Sequence, residues 1–568
     1  MITDPPPQFD LVEQPWIPCT MLDGSVKELS LRGVFERSRQ IRRISGELPT
    51  QDYALLRVLL VIFWRAHRDD PGLVGPGADV DEWWEDAFDA AGGETQVQRI
   101  RIYLEQWRHR FDLFDAAAPF MQVADLHTKK GEHSGVEKIL VDSRSDYLSM
   151  RAGSSLNAIQ FPEVGRWLVH VHAWDYGGNK TGVEGDPRVK NGKVNAKGPG
   201  WAGSTGGVVL HGRTLAETLV LNTVPLAVFG EREEPDLPAW EQDPHTAAPR
   251  GVEFPTGPCD VLTWQSRRVR LFPDGERVTG VLVASGERIE RKNQFADPMT
   301  AYSYSPDQSS RASTVHTPQQ HDAARTLWRG LAPLLVREGA WESGSQETRL
   351  RQPSTVAWLH AVGSRKLLPD DLLVDVELVG MSYGTQSSVV VDTVHETLAL
   401  RLGILMSKDP RMAKAILDAG RATMDAARDF GWYAAHLLLA AGWKWKKRPS
   451  EAFQPSLEEK VFHRLDAPFK DWLLEVDEGS DPVAQRERWF DIVERVVLEE
   501  AAVLQQGAGP QAVIGRLISG VQEEPNLVSA ATAMTHLRRS LRKHLPRERL
   551  TAGGTANPVA EPTKGEDQ

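Results

Sequence analysis

Residues 372–388 read LLVDVELVGMSYGTQSS, and this stretch divides the sequence into two parts of different character. Leu372 to Val379 is apolar and strand-like, whereas the loop that follows is uncharged and rich in glycine and hydroxyl side chains. The pattern then changes near Asp392, and we expect helices from there to about residue 546. The stretch therefore marks the predicted boundary between a β-rich region and a helical region.

The region before this boundary reads as short strands joined by turns. Between residues 208 and 400 the segments VVLHG, DVLTWQ, RRVRLF, RVTGVLVAS and DVELVG are rich in strand-forming residues. The earlier segment YALLRVLLVIFWRAH instead has apolar residues at helical spacing. We predict a mixed, β-rich N-terminal domain over residues 1–391.

Helix signals dominate the rest of the chain. Asp481-Pro482 places an N-cap residue before a proline at the first helical position. About four amphipathic helices with short connections favour a C-terminal antiparallel four-helix bundle over residues 392–548. The small, polar segment 549–568 has the composition of a disordered tail. The predicted fold class is α+β, a mixed β-rich domain followed by this bundle.

Composition limits the classes of function. The 568 residues carry a net charge of −12, with 41% hydrophobic and 25% charged residues, as in soluble globular proteins. This charge argues against coating nucleic acid by electrostatics alone, but a local basic patch could still contact it. No apolar run approaches the roughly 20 residues that span a bilayer, and the N-terminus lacks a signal pattern, so we expect a cytoplasmic protein with no membrane partner. Cys19 and Cys259 are too few for a zinc site built mainly from thiolates.

The segment from Gly177 to Gly207 is dense in glycine and has little apolar periodicity. Up to Gly200 it carries five lysines and arginines against two carboxylates, inside an otherwise acidic chain. We expect a long, mobile, basic loop, which is either functional or a solvated insertion.

One short pattern could indicate a serine hydrolase. Gly380 to Gly384 spells GxSxG around Ser382, with Asp392 and His395 following in the chain order of a triad. A nucleophile elbow needs a helix directly after the serine, and here polar and β-branched residues follow instead. We therefore do not expect a hydrolase.

Histidines give the second catalytic pattern. His170 and His172 would share one face of a strand, and His321-Asp322 is like the HD pair of metal phosphohydrolases. No further ligand lies at suitable spacing, so packing, surface or helix-capping roles are favoured. A metal-dependent nuclease or phosphohydrolase using these four residues is the alternative function.

Three basic clusters could contact phosphate groups or protein partners. The first lies in WKWKKR after an apolar helix, where its charges would equally complement the helix dipole. The second lies on the last predicted helix, where a solvated face is the alternative. The third lies in ERIERKNQF, in a turn after a strand. In that order, their members are Lys444, Lys446, Lys447 and Arg448; Arg538, Arg539, Arg542 and Lys543; and Arg288, Arg291 and Lys292.

Several stretches together resemble the large subunit of the type I-E CRISPR Cascade complex, the CasA family. They are FDLVEQPWIPC, FDLFDAAAPFMQ and GVEKIL, the glycine-rich segment, GMSYGTQSS before VHETL, and the predicted bundle. Their order covers roughly residues 8–545.

The resemblance implies a non-catalytic subunit of an RNA-guided surveillance complex. In this family the subunit reads the protospacer-adjacent motif (PAM) from the minor groove, helps to open the duplex and holds the displaced strand, while guide pairing reads the target sequence. The implied partners are double-stranded target DNA with a PAM, the crRNA-bearing backbone, small and crRNA 5′-end subunits, and a recruited helicase–nuclease.

The family reads the PAM with a glutamine wedge, a glycine loop and a lysine finger. The wedge position corresponds to Gln386, beside Gly384, Thr385 and Ser387. The family often has Asn and Ala at the two flanks, so base-edge contacts are expected to differ here.

The other two parts map less directly. The glycine loop corresponds to residues 197–203, in which glycine would let the backbone approach a base edge. For the lysine finger, Lys292 is the first choice, followed by Arg288 and Arg291. The glycine-loop residues singled out are Lys197, Gly198 and Gly200.

Two further expectations follow from the resemblance. Residues 141–160 correspond to a loop that contacts the PAM-proximal region and the crRNA-end subunits, with Tyr147 and Met150 as candidates. Some family members carry two cysteine pairs that could bind zinc, and this chain lacks them, so we predict no metal and no cofactor.

Overall fold

The computed structural model describes residues 7–74, 78–141, 154–229, 234–310, 313–319, 326–335, 350–363, 368, 371–406, 410–443, 453–477, 479–518 and 526–547. The chain divides into two compact units. The first comprises Met1–Ala413 with Leu473–Gly479, and the second comprises Lys414–Trp472 with Ser480–Gln568.

The first unit mixes short strands and helices. Its strands are β1 Ile17–Met21, β2 Val26–Leu29, β3 Ile41–Ile44, β4 Ser134–Gly135, β5 Ile159–Gln160, β6 Gly178–Thr181, β7 Lys193–Ala196, β8 Gly207–His211, β9 Arg267–Asp274, β10 Arg277–Ser285, β11 Tyr302–Tyr304, β12 His316–Pro318, β13 Leu350–Arg351, β14 Leu373–Tyr383 and β15 Val390–Arg401. Its helices are α1 Leu31–Glu36, α2 Pro49–His67, α3 Val80–Asp89, α4 Glu94–Trp107, α5 Ser154–Asn157, α6 Phe161–Trp174, α7 Trp201–Thr205, α8 Leu215–Leu221, α9 Pro258–Leu262, α10 Ala332–Leu335, α11 Ser354–Gly363 and α12 Leu402–Met406.

These strands form several small antiparallel sheets, in agreement with the predicted α+β class. The strand orders are β2-β1-β3, β4-β10-β5 with β9 paired to β10, β12-β11-β13, β15-β14-β8, and the two-stranded β6-β7. Helices α2 and α6 are buried on nearly every side, as expected of central core helices. The rings of Tyr53 on α2 and Trp174 at the end of α6 pack edge to face at 5.7 Å, which joins the two helices in the core.

The longest hairpin joins β14 to β15 and carries the stretch GMSYGTQSS at its tip. Its register runs from Leu373 opposite Arg401 to Tyr383 opposite Val390, and β8 pairs with the other edge of β14. The predicted helical start at Asp392 is wrong, because residues 392–401 continue β15 and the first helix begins at Leu402. Alternating burial along β15 keeps it a strand despite its helix-forming residues.

The glycine-rich segment is structured, which corrects the prediction of a long mobile loop. Strands β6 and β7 pair as a hairpin, and α7 and β8 follow directly. Its basic charge is also smaller than expected, since Lys180 is 2% exposed and paired with Asp175, and Arg188 is paired with Asp186.

The second unit contains four long helices in its described part. Trp489 is fully buried, its ring lies 5.0 Å from that of Phe469 and 5.4 Å from that of Trp472, and its Nε1 donates to Thr423 at 2.8 Å. The predicted N-cap is confirmed, because the Asp481 side chain accepts a hydrogen bond from the Val483 N–H. The elements are α13 Pro410–Ala440, α14 Phe453–Glu475, α15 Pro482–Gly507, α16 Gly509–Ile514, β16 Arg516–Ile518, β17 Asn526–Val528 and α17 Ala530–His544. Over the described residues, every helix is too short or too polar to cross a bilayer.

One carboxylate links the three strands of the β15-β14-β8 sheet. Glu377 on β14 accepts hydrogen bonds from His211 on β8 at 2.6 Å and from His395 on β15 at 2.8 Å. Burial opposes ionisation of Glu377, but the two histidines outweigh it and lower its pKa to about 2. The hydrogen bond to Glu377 in turn raises the pKa of His395.

Glu377→Gln should lower the free energy of unfolding at pH 6 by about 1–3 kcal/mol, because the histidines then bond to a neutral amide oxygen in place of a carboxylate. The His395 contribution is fully present below its unfolded pKa and is lost as pH rises through its raised folded pKa. The difference between native and variant chains should therefore shrink between pH 6 and pH 9 in thermal unfolding. Asp392→Asn, an exposed change on β15, is the control, and an equal pH trend in that variant would contradict the assignment.

Candidate nucleic-acid interface

The tip of the β14–β15 hairpin is a closed, preformed turn. Residues 385–388 form a tight turn in which the Ser388 N–H and hydroxyl both donate to the Thr385 carbonyl, at 3.3 and 2.8 Å, and the Gly384 N–H donates to the Val389 carbonyl at 2.9 Å. Gln386 lies at the apex with an exposed side chain. The predicted wedge residue is therefore presented outward by a turn whose backbone is already hydrogen-bonded.

Two consecutive non-glycine residues at this apex are left-handed. Gln386 has φ 56° and Ser387 has φ 53°. Side chains other than glycine, asparagine and aspartate rarely adopt this conformation, and it costs roughly 1–2 kcal/mol per residue. The turn therefore holds the glutamine in a strained backbone conformation.

A β-bulge beside the tip exposes two valines. Ser382 pairs with Asp392 and Tyr383 with Val390, so Val391 is an extra residue in β15. Val391 is 60% exposed and Val389 52% exposed. A Cβ on Gly384 would lie 2.9 Å from Val389, so glycine leaves room for these side chains to fold over the turn. An apolar ridge thus runs next to Gln386.

The glycine loop lies against this tip. The Gly177 N–H donates to the Ser387 carbonyl at 2.7 Å, and Gly177 itself packs on the backbone of Gly198. Gly198 has φ 91°, and a Cβ there would meet nothing within 4 Å, so its backbone is open to a ligand. Gly200 has a different role, because a Cβ there would lie 2.4 Å from the Ala173 carbonyl oxygen. Lys197 is exposed at the start of the loop.

A groove of about 560 Å³ brings the predicted parts together. Its lining includes Ser387 from the hairpin tip, Lys197 and Gly198 from the glycine loop, and Arg288 and Arg291 from the turn after β10. Lys292, the first choice for the lysine finger, is exposed but is not part of this lining. The lining contains five cations and two carboxylates, namely Arg188, Lys197, Arg267, Arg288, Arg291, Glu253 and Glu287.

The cations of the groove differ in their freedom. Arg291 donates to the Ser204 carbonyl at 3.2 Å, and burial lowers its pKa. Arg188 donates to the carbonyls of Ser285 at 2.7 Å and Gly286 at 3.0 Å, which holds the segment leading to Arg288. No partner for the exposed Arg288 guanidinium lies within the described part of the chain. Arg288 is therefore free to contact a ligand.

Glu287 does not cancel this positive charge. It is paired with Arg268, and both side chains are 1% exposed. Burial opposes its ionisation, but the adjacent Arg268 guanidinium holds its pKa below the usual range. The carboxylate is thus neutralised behind the groove, as Arg188 and Arg267 are by Asp186 and Asp175, which leaves Lys197, Arg288 and Arg291 against Glu253 in the lining.

Comparison with known proteins identifies the fold around this groove. The family model for CRISPR-associated protein Cse1 matches residues 10–499. This chain belongs to the Cse1 family. The crystal structure of Thermobifida fusca Cse1 is similar at 36% identity and a TM-score of 0.84, covering 96% of this chain and 99% of that one. Acidimicrobium ferrooxidans Cse1 is similar at 28% identity and a TM-score of 0.76, covering 95% and 99%. The CasA/Cse1 protein of Thermus thermophilus is 26% identical over 526 residues, 87% of this chain and 91% of that protein.

Membership of the Cse1 family confirms the predicted resemblance to type I-E Cascade large subunits. It makes the chain a subunit of a CRISPR complex. Ser387 beside the predicted wedge, the predicted glycine loop and Arg288 meet at this groove, whereas Arg267 and the two valines were not among the predicted site residues. The doublet Arg267-Arg268 at the start of the strand RRVRLFPD was the available signal, because buried arginines need partners.

The metal-dependent alternative is not supported in this Cse1-family chain. His170 and His172 lie on helix α6 and not on a strand, so two residues of this spacing face different directions. His170 contacts Thr50 at 3.1 Å and His172 contacts the Met121 carbonyl at 2.8 Å. Burial lowers the pKa of His170 to about 3 and of His172 to about 4, so both are neutral core residues. Among the described residues no group of histidines, cysteines and carboxylates could hold a metal ion.

The triad pattern also fails on geometry. Ser382 lies within β14 opposite Asp392, whereas His395 lies opposite Val379. Positions 379 and 382 differ by an odd number of residues, so the serine and the histidine are on opposite faces of the sheet. His395 is instead bonded to Glu377.

The remaining candidates fall in two classes. The cations on α17 are all exposed. The other candidates lie outside the described residues, so they remain predictions. The first class is Arg538, Arg539, Arg542 and Lys543, and the second is Tyr147, Met150, His321, Asp322, Lys444, Lys446, Lys447 and Arg448.

Gln386→Gly should raise the free energy of unfolding by about 1 kcal/mol or leave it unchanged, because glycine adopts a left-handed backbone without strain. Thr385→Gly, one residue earlier in the same turn, should lower it by about 0.5–1 kcal/mol through the entropy of the unfolded chain. Chemical denaturation of both variants measures this contrast. A clear loss of stability in Gln386→Gly would show that its side chain is needed for folding.

Proposed function

We propose that this chain is the non-catalytic, PAM-reading large subunit of a type I-E Cascade complex. The observation that carries the proposal is one groove lined by Ser387 of the hairpin tip, next to the exposed Gln386, by Lys197 and Gly198 of the glycine loop, and by Arg288. These three elements come from distant parts of the sequence, and each supplies a different contact to DNA.

The chemistry of the groove suits the minor groove of a duplex. That groove is about 6 Å wide and presents a degenerate pattern of acceptors with one guanine donor. The Gln386 amide offers both donors and an acceptor, and the open backbone at Gly198 can approach a base edge without a Cβ. A reader of this kind tolerates several related motifs, since the minor groove cannot distinguish every base pair.

The hairpin tip is also suited to opening the duplex. Proteins that bend or separate base pairs insert apolar or bulky side chains between base steps, at a cost of a few kcal/mol per step. Gln386 projects from a hydrogen-bonded turn, and the exposed Val389 and Val391 lie beside it. We propose that Gln386 inserts at the first target base pair and that the valines contact the displaced base or sugar.

Arg288 takes the place of the lysine finger in this proposal. It lines the groove and is exposed, whereas Lys292 lies outside the lining. A guanidinium can donate to two acceptors at once, such as base and sugar oxygens or a phosphate. Contacts of this kind fix the position of the duplex relative to the hairpin tip.

The second unit is assigned the remaining roles. We propose that its four long helices form an antiparallel bundle and that the basic face of α17 contacts the phosphates of the displaced strand. The chain would join crRNA-bearing backbone, small and crRNA 5′-end subunits, and would recruit a separate helicase–nuclease once the duplex is open. Cleavage would then belong to that partner, and the chain would act in the cytoplasm with the rest of the complex.

Gln386→Gly in the assembled complex should reduce PAM-dependent duplex opening by about tenfold or more, since a lost base-edge contact costs about 1–3 kcal/mol. Fluorescence of 2-aminopurine at the first target base pair measures the opening. Gln308→Gly, an exposed glutamine in a 3-10 turn, is the matched control and should open DNA normally. Normal opening by Gln386→Gly would exclude the wedge role.

Changing the four α17 cations to glutamine should weaken binding of the displaced strand. Each lost phosphate contact lowers the slope of log affinity against log salt by about 0.7 for single-stranded DNA. The control changes Arg421 and Arg428 to glutamine, which are exposed on α13 but paired with Asp418 and Asp425. An unchanged salt slope in the α17 variant would show that this face is only solvated. The variant combines Arg538→Gln, Arg539→Gln, Arg542→Gln and Lys543→Gln.

A direct assay separates the proposed function from the nuclease alternative. The purified chain, incubated with duplex and single-stranded DNA in magnesium or manganese, should leave both intact. Cleavage that is lost on adding a chelator would overturn the non-catalytic assignment.

A further inference from the structure

One buried carboxylate organises the segment beneath the groove. Asp175 directly follows helix α6 and is 6% exposed. Arg267 Nε lies 2.6 Å and Lys180 Nζ 2.5 Å from its Oδ2, and these two cations are 3% and 2% exposed. Buried charges are stable only when they are paired and hydrogen-bonded. The end of α6, the start of β9 and strand β6 are therefore held at fixed positions relative to one another.

The other donors of Arg267 are directed at main-chain oxygens. Nη2 lies 2.9 Å from the Asp175 carbonyl, 2.8 Å from that of Tyr176 and 3.2 Å from that of Gly198, and Nη1 lies 2.8 Å from that of Ser266. A guanidinium has five N–H donors in a rigid plane, which a lysine ammonium cannot reproduce. One side chain thus joins the glycine loop to the segment after α6.

The same segment holds the hairpin tip from its other side. The Tyr383 hydroxyl, at the end of β14, donates to the Trp174 carbonyl at 2.5 Å. The Gly177 N–H donates to the Ser387 carbonyl at 2.7 Å. Residues 174–177 therefore lie between the hairpin tip and Arg267, with hydrogen bonds to both.

We propose that Asp175 and Arg267 are positioning residues that set the spacing between the glycine loop and the glutamine tip. The pair holds the glycine loop and the glutamine tip in place without itself contacting a base. It therefore affects the preference for one flanking motif over another more than the overall affinity for DNA. The effect on DNA recognition rests on the proposed function, whereas the distance between the loop and the tip is a property of the chain alone.

Arg267→Lys is the main test. The lysine keeps a positive charge beside Asp175, but it lacks the planar guanidinium that donates to the carbonyl oxygens. In the assembled complex, the ratio of affinities for a cognate and a scrambled flanking motif should fall about ten- to a hundredfold, as expected for misplaced contacts. The salt dependence of binding should not change, because the number of charges is the same. Arg270→Lys is the control, since Arg270 lies on the same strand but donates to the Leu126 carbonyl and packs over the Phe272 ring. An unchanged ratio in Arg267→Lys would overturn the proposal.

The spacing can also be measured without DNA. Spin labels on Lys197→Cys and Thr385→Cys report the distance between the loop and the tip, and both positions are exposed. The native Cys19 and Cys259 are fully buried, so labelling is confined to the introduced cysteines. The distance distribution should be narrow in the otherwise native chain and broader or shifted in Arg267→Lys. Identical distributions would overturn the positioning role.

A milder variant covers the case in which Arg267→Lys does not fold. Tyr383→Phe keeps the ring and removes only the hydroxyl that bonds to Trp174, so it should broaden the same distance distribution and lower the same ratio to a smaller extent. If it changes neither, the proposal is wrong. If the unmodified complex shows no preference among flanking motifs, the proposed function fails, and the distance measurement still decides whether the pair positions the two loops.

Discussion

The Asp175–Arg267 ion pair is the constraint on which the arrangement of the groove depends. A buried carboxylate must be matched by cations, and Asp175 is matched by two of them from different strands. Because Arg267 also binds carbonyl oxygens of the glycine loop, the electrostatic requirement becomes a geometric one. The hairpin tip joins through main-chain and tyrosine hydrogen bonds to the same short segment. Loops that lie far apart in the sequence are thereby held side by side.

Local charge, and not total charge, explains how an acidic chain can bind DNA. The net charge of −12 is spread over the whole chain, whereas the groove brings Lys197, Arg288 and Arg291 together in one place. Of the two carboxylates that line it, Glu287 is neutralised by the buried Arg268. Potentials within a cleft follow the charges that line it, because screening over about 8–10 Å hides the rest. Modest intrinsic affinity suits a subunit whose complex holds the target by base pairing to a guide.

Predictions from the sequence were correct where interactions between residues close in the sequence determine the structure. The strand DVELVG and the N-cap at Asp481 both follow from patterns within a few residues. Long-range pairing explains the errors. Residues 392–401 remain in β15 because they pair with β14, and the glycine-rich segment is ordered because Gly177 bonds to Ser387 and Arg267 bonds to Gly198. His170 and His172 were placed on a strand because a two-residue repeat is ambiguous without the helical burial of their neighbours.

The left-handed tip shows what the hairpin is built to present. A turn shaped for stability alone would carry glycine or asparagine at two successive left-handed positions, since other residues are strained there. The only glycine of this turn is at 384, where it makes room for Val389 and relieves no left-handed strain. Glutamine occupies the apex instead, and the turn compensates with main-chain and hydroxyl hydrogen bonds around it. The turn thus accepts backbone strain in order to place a glutamine at its apex. The amide of Gln386 is the group that this turn presents at the protein surface.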